Sequence, residues 1–131
     1  MNKYLFLLLS LLLLTACNSE PNVAGLQKTP EDAAKAFFEA LSKKDQPKAE
    51  ALATELTQKQ LKLFLTDLKM GPDEEIAEKE KAIQLDFKSI SCQENAGKMI
   101  CKICCNADGA EAEVEMAQVD GKWFVNMNFG F

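Results

Sequence analysis

The chain predicts an α+β domain, with N-terminal helices packed on one face of a curved four-stranded antiparallel meander, and three observations carry that expectation. From Thr29 to Ala82 the apolar residues recur at helical spacing behind good capping residues. After residue 82 the period changes to the alternation of strands. Two Asp-Gly pairs, Asp108-Gly109 and Asp120-Gly121, then mark two-residue hairpins.

The first helix has the clearest start. Thr29 is an N-cap, Pro30 fits the first helical position, and Glu31 and Asp32 put negative charge at the positive end of the helix dipole. Ala33, Ala34, Phe37, Phe38 and Leu41 form its apolar stripe, and Lys43 and Lys44 suit its C-terminus. Asp45 and Pro47 open a second helix expected to carry Ala49, Leu52, Ala53 and Leu56. A third is expected from about Thr57 to Lys69, with Leu61, Phe64, Leu65 and Leu68 on one side, stopped by Gly71-Pro72. The charged segment from Asp73 to Ala82 reads as a short exposed helix, with a loop as the alternative.

The hairpin signals test one another. A turn at Asp120-Gly121 sets Val119 opposite Lys122 and Met116, Val114 and Ala112 opposite Val125, Met127 and Phe129. A turn at Asp108-Gly109 sets Cys105, Ile103 and Cys101 opposite Ala112, Val114 and Met116. Both place the same apolar face across three strands, with Lys102 facing Glu115 on the other and Glu113 and Asn128 nearby. An earlier strand, about Gln84 to Gln93, pairs through the Asn95-Ala96-Gly97 turn, and its alternation breaks near Lys88 and Ser89, as at a bulge.

The first seventeen residues carry a different message. Lys3 is followed by an apolar run from Leu5 to Leu14 broken only by Ser10, then by Thr15, Ala16 and Cys17. This is a secretory signal, too short for a comfortable membrane-spanning helix. The Leu14-Thr15-Ala16-Cys17 ending resembles the lipobox of bacterial lipoproteins. That resemblance implies cleavage before Cys17 and lipid on its sulfur and amino group. Expected boundaries are therefore residues 1–16 as signal peptide, 17–28 as lipidated cysteine and polar tether, and 29–131 as one domain. Eleven tether residues reach at most about 35–40 Å, which keeps the domain close to the membrane. In Gram-negative lipoproteins an Asp after the cysteine resembles an inner-membrane retention signal. Asn18 accordingly points to the outer membrane, facing the periplasm.

A second resemblance covers roughly residues 29–128. The runs 29–45, 48–53 and 120–125 (the last Asp-Gly-Lys-Trp-Phe-Val) are similar to the opening and the final strand of small bacterial lipoproteins with a cystatin-like, nuclear-transport-factor-2-like domain. That family is of unknown function, so the resemblance implies a cone-shaped fold and no chemistry. Other relatives of the fold, such as ketosteroid isomerase and polyketide cyclases, use the space between helices and sheet as a pocket, pairing an Asp or His base with Tyr or protonated Asp.

Composition narrows what chemistry is possible. Removing residues 1–16 from 131 leaves 115, enough for one domain. The net charge is −5, with 15 basic and 20 acidic residues, which disfavours nucleic acid as a partner. Every basic residue is Lys, there is no His, and the single Tyr, Tyr4, lies in the signal. Ser-His-Asp and Cys-His catalysis are therefore excluded, as are mixed Cys/His zinc sites. Within the cone only Asp86 and Asp67 are candidate acids, and surface positions are the simpler reading of both.

The remaining cysteines, in an exported chain, read first as disulfides. Along one strand Cys101 lies about 10 Å from Cys104 and about 13 Å from Cys105, beyond the ~7 Å limit for a bridge. A tight Ala96-Gly97 turn would set Cys92 opposite Cys101, making these the disulfide candidates and leaving Cys104 and Cys105 free or joined as neighbours. A redox pair or a metal site at Cys101/Cys104/Cys105 is a weaker alternative, because a strand supplies no helix dipole and sends adjacent cysteines to opposite faces. The expectation is therefore a non-enzymatic, membrane-anchored domain without a metal or cofactor. It would bind another envelope protein or a small ligand. Its partner-facing surface would be the outer sheet face around Ile100, Ala117 and Phe124, a face suited also to a homodimer.

Overall fold

The computed structural model describes residues 22–83, 85–106, 109 and 111–128, with the side chains of 82, 83, 85–88, 105 and 106 excepted. Expectations on Cys17, Phe129 and the side chains of Asp86 and Cys105 lie outside the described residues. A 3₁₀ turn, Ala24–Leu26, precedes four helices: α1 (Pro30–Ser42), α2 (Gln46–Ala51), α3 (Glu55–Asp67) and α4 (Asp73–Ile83). Four strands follow, β1 (Leu85–Asn95), β2 (Lys98–Asn106), β3 (Ala112–Val119) and β4 (Lys122–Asn126), in the order β1-β2-β3-β4. The sheet is an antiparallel meander and the fold is α+β.

Helix α1 is the element around which the rest packs. The Thr29 hydroxyl accepts the Asp32 N–H at 3.1 Å, so the first turn begins capped. Its buried stripe runs through Ala33, Phe37, Ala40 and Leu41, and the helix lies against all four strands. Phe37 is fully buried and meets Phe38 edge-to-face, with ring centroids 5.2 Å apart. The helix ends in a Schellman motif: Asp45 donates to the Ala40 carbonyl at 2.8 Å and Lys44 to Leu41 at 3.0 Å, with Lys44 at φ 57°. The same Lys44 side chain forms an ion pair with Glu80 of α4.

Helix α2 is shorter than its apolar pattern suggests. Leu52 and Ala53 leave the helix to meet β4, where Val125 donates to the Leu52 carbonyl at 2.8 Å and Ala53 bridges Val125. Leu56 falls instead on α3 and is 52% exposed, so it does not belong to the α2 stripe. Residues 73–83 form the helix rather than the loop.

Two of the three hairpins have the expected form. Ala96 and Gly97 (φ 52° and 77°) and Asp120 and Gly121 (φ 51° and 77°) adopt left-handed conformations, as a type I′ turn requires. They set Asn95 opposite Lys98 and Val119 opposite Lys122. The β1 ladder is irregular between Leu85 and Ser89, at the place where alternation breaks.

The β2–β3 register differs from expectation by two residues. Cys101 faces Val114 and Ile103 faces Ala112, with β2 ending at Asn106 and β3 beginning at Ala112. Side chains alternate with a period of two, so the slip leaves each one on its expected face. What it changes is the charged face. The observed register sets Lys102 opposite Glu113, with 3.7 Å between charges, and lets Lys98 reach Glu115 at 3.3 Å. The expected one would have put Val119 across from Lys98. It would also have set Lys102 opposite Glu115, so both registers pair opposite charges across the strands, and such exposed pairs are weak.

The core lies between α1 and the inner sheet face. Phe37, Leu52, Leu61, Cys101, Ile103 and Val125 are fully buried there, and Met99, Ala112, Trp123 and Met127 pack at its margin. The strand β4 ends at Asn126, and just beyond it the Met127 N–H donates to the Thr57 hydroxyl at 2.7 Å.

The domain also begins earlier than composition suggests. Val23 is 7% exposed and belongs to the core, and Gln27 is 3% exposed. The Trp123 N–H donates to the Gln27 carbonyl at 3.0 Å, and the Gln27 amide donates back to the Trp123 carbonyl at 3.1 Å. The expected tether of residues 17–28 is thus part of the folded body from about Val23 onward, because its apolar and amide side chains find partners on β4.

Candidate functional site

The outer sheet face is where the expected interaction residues sit, and the two-residue slip reshapes it. The register set by a tight β2–β3 turn would have lined up Ile100, Ala117 and Phe124 across three strands. Instead Ala117 faces Phe124, while Ile100 faces Glu115 and lies diagonal to Ala117. All three are half-buried. Glu115 is held between Lys98 and Asn126, each at 3.3 Å. The face is therefore an Ala117–Phe124 pair and a separate Ile100, divided by a hydrogen-bonded carboxylate. Beside them a groove of about 620 Å³ is lined by Ser91, Gln93, Glu94, Asn95, Ile100, Lys102 and Glu113. Its polar groups are two amides, one hydroxyl, the Glu94 carboxylate and the Lys102–Glu113 ion pair, which suit recognition by hydrogen bonding.

The space between helices and sheet is occupied by the core side chains. Gln27 and Thr57 are its buried polar residues among those described, and both are hydrogen-bonded. Asp67 is on the exposed side of α3, 3.5 Å from Lys79, so it does not enter the cone. Glu75, at 3.1 Å, hydrogen-bonds Lys79 and, with Asp67, holds its ammonium above the ordinary lysine range.

The structure brings Cys92 and Cys101 together in a disulfide across β1 and β2, with α-carbons 4.0 Å apart. Cys104 is also disulfide-bonded. Cys101 and Cys104 therefore present no free thiol in this structure, and the side chain of Cys105 lies outside the described residues. Among the described residues no group of three or more His, Cys, Asp or Glu is placed to hold a metal ion.

Two residues that organise this region escaped sequence reasoning. Thr57 is fully buried, accepts the Met127 N–H at 2.7 Å and donates to the Met127 carbonyl at 3.1 Å. Gln27 does the equivalent for Trp123. A threonine three residues after another threonine at a helix start was the available signal for the first, since Thr54 caps α3 and its hydroxyl lies 3.1 Å from that of Thr57. For the second it was the Val23/Leu26 spacing in an otherwise polar stretch.

Residues 1–18 match the family model described as the prokaryotic membrane lipoprotein lipid attachment site, a stretch that includes Cys17. The protein is a lipid-anchored envelope lipoprotein. No curated protein and no solved structure matches the chain.

Proposed function

We propose that this lipoprotein is a non-enzymatic interaction domain, anchored through lipid on Cys17 and presenting its outer sheet face to another envelope protein. The observation that carries the reading is the lipid attachment site joined to a domain whose helix–sheet interior is filled with packed side chains while its outer face stays open. Ala117 and Phe124 supply the apolar centre and the Lys98–Glu115 and Lys102–Glu113 pairs the polar rim, the usual anatomy of a protein-binding patch. The fold fits the cystatin-like class, with the signal peptide at residues 1–16. Asn18 supports an outer-membrane destination facing the periplasm.

Four measurements test this. Labelling with palmitate should mark the wild type and not Cys17→Ser, and density fractionation should place the wild type with the outer membrane. A photo-crosslinking residue at Phe124 should give one defined protein adduct in the envelope, lost when Ala117→Glu is added. A bound small-molecule mass in native spectra, with no protein adduct, would replace this reading with a ligand carrier.

A further inference from the structure

The tight turn at Ala96-Gly97 determines which backbone groups of β1 point away from the sheet. In a two-residue hairpin the closing pair, here Asn95 and Lys98, is hydrogen-bonded, and bonded and non-bonded pairs alternate along the ladder. Gln93–Ile100 and Ser91–Lys102 are then bonded pairs, while Ile90, Cys92 and Glu94 turn their N–H and C=O outward. The 4.0 Å between the α-carbons of Cys92 and Cys101 is the close spacing of a non-bonded pair and agrees.

Strand β1 is an edge of the sheet, and among the described residues no hydrogen bond reaches those outward groups. The ladder from Ser89 to Asn95 is regular, and the irregularity lies before it. This stretch contains no Pro and no Lys, the residues that commonly protect an edge, and its single charge is Glu94. Ser89, Ser91 and Gln93 are exposed on the outer face. An open, unbulged, nearly uncharged edge is a template for another strand.

We propose that this edge pairs antiparallel with the same edge of a second copy, about a two-fold axis at Cys92, joining two four-stranded sheets into one. The register that does so bonds Ile90 to Glu94 of the second copy, Cys92 to its own equivalent, and Glu94 to Ile90. It matches outward groups with outward groups and uses every residue of the regular stretch. Ser91 comes to face Gln93 of the second copy, and the two Glu94 carboxylates stay apart. A two-fold contact of this kind closes with one partner and does not propagate. The paired strands alone bury less than the ~1,200 Å² of a typical stable interface, so confinement of both copies to one membrane supplies the effective concentration. The outer face around Phe124 plays no part in the contact.

The test uses the full-length lipidated chain in its own membranes. Two differently tagged copies, one Ser91→Cys and one Gln93→Cys, are co-expressed and oxidised, and the mixed-tag dimer is read on a non-reducing gel with the linkage mapped by peptide mass. Ser91 and Gln93 face each other as a non-bonded pair in this register, the spacing a disulfide requires. The mixed dimer should exceed that from Lys122→Cys, on the opposite edge of the sheet, by at least about tenfold. Adding Phe124→Glu should leave it unchanged, which separates a failure of the outer-face reading from a failure of this one. A yield no higher than Lys122→Cys overturns the proposal. So does a disulfide adduct with a different protein in place of the second copy, which would assign the edge to a foreign strand.

Discussion

Along β4 and just beyond it the outward main-chain groups of Trp123, Val125 and Met127 are all met, by Gln27, by Leu52 and Thr54, and by Thr57, whereas those of Ile90, Cys92 and Glu94 on β1 meet none of the described residues. The covering groups on β4 come from the 3₁₀ segment and from the α2–α3 junction, about 70 to 96 residues away in sequence. One edge is therefore closed by long-range polar contacts that tie the start of the domain to its end. The other is held by its hairpin partner, by α1, and by a disulfide of sequence separation 9. A covalent staple holds the edge whose outward groups meet no lateral hydrogen bond among the described residues.

The largest expected effect comes from removing that staple. Replacing Cys92 and Cys101 together by Ala should lower stability by about 3 kcal/mol, from the loop-closure entropy of a short loop. Amide exchange should accelerate first in β1 while β4 stays protected; uniform acceleration would show that the two edges do not differ. Next is the covered edge. Thr57→Val strands both Met127 groups and should cost about 2 kcal/mol in urea denaturation, with most of the loss restored by Thr57→Ser. An equal loss in both variants would mean that packing rather than the hydroxyl closes this edge. Gln27→Ala removes one amide bond from Trp123 and should cost about 1 kcal/mol, exposing the Trp123 carbonyl without unfolding the strand. The smallest change is a gain: Ala96 sits at φ 52°, so Ala96→Asn should stabilise the β1–β2 hairpin by about 0.5–1 kcal/mol, visible as a higher melting temperature.

How far the sequence reached depends on the range of the interaction that decides each feature. Thr29, Pro30, Asp120-Gly121 and the Cys92/Cys101 opposition were readable because each rests on residues close in the chain or across one tight turn. The anchor was readable for the same reason, as a local apolar run followed by Thr15, Ala16 and Cys17. The β2–β3 register was not. A slip of two preserves alternation, and both registers set Lys102 opposite a glutamate, so neither the apolar pattern nor the charges separate them. That slip also decided the candidate site, since it placed Glu115 opposite Ile100 and broke an apolar strip that the pattern alone would have joined. Thr57 and Gln27 were missed because their partners lie at the far end of the chain. Leu52 and Ala53 were misassigned to α2 because Val125, unseen from local pattern, draws them out of the helix.

Since Val23 and Gln27 already belong to the folded body, residues 18–22 are all that separates the lipid on Cys17 from the domain. Five residues at full stretch span about 16–18 Å, roughly half of what a free linker through Lys28 would allow. Whatever meets the domain must share its bilayer or reach down to the headgroups.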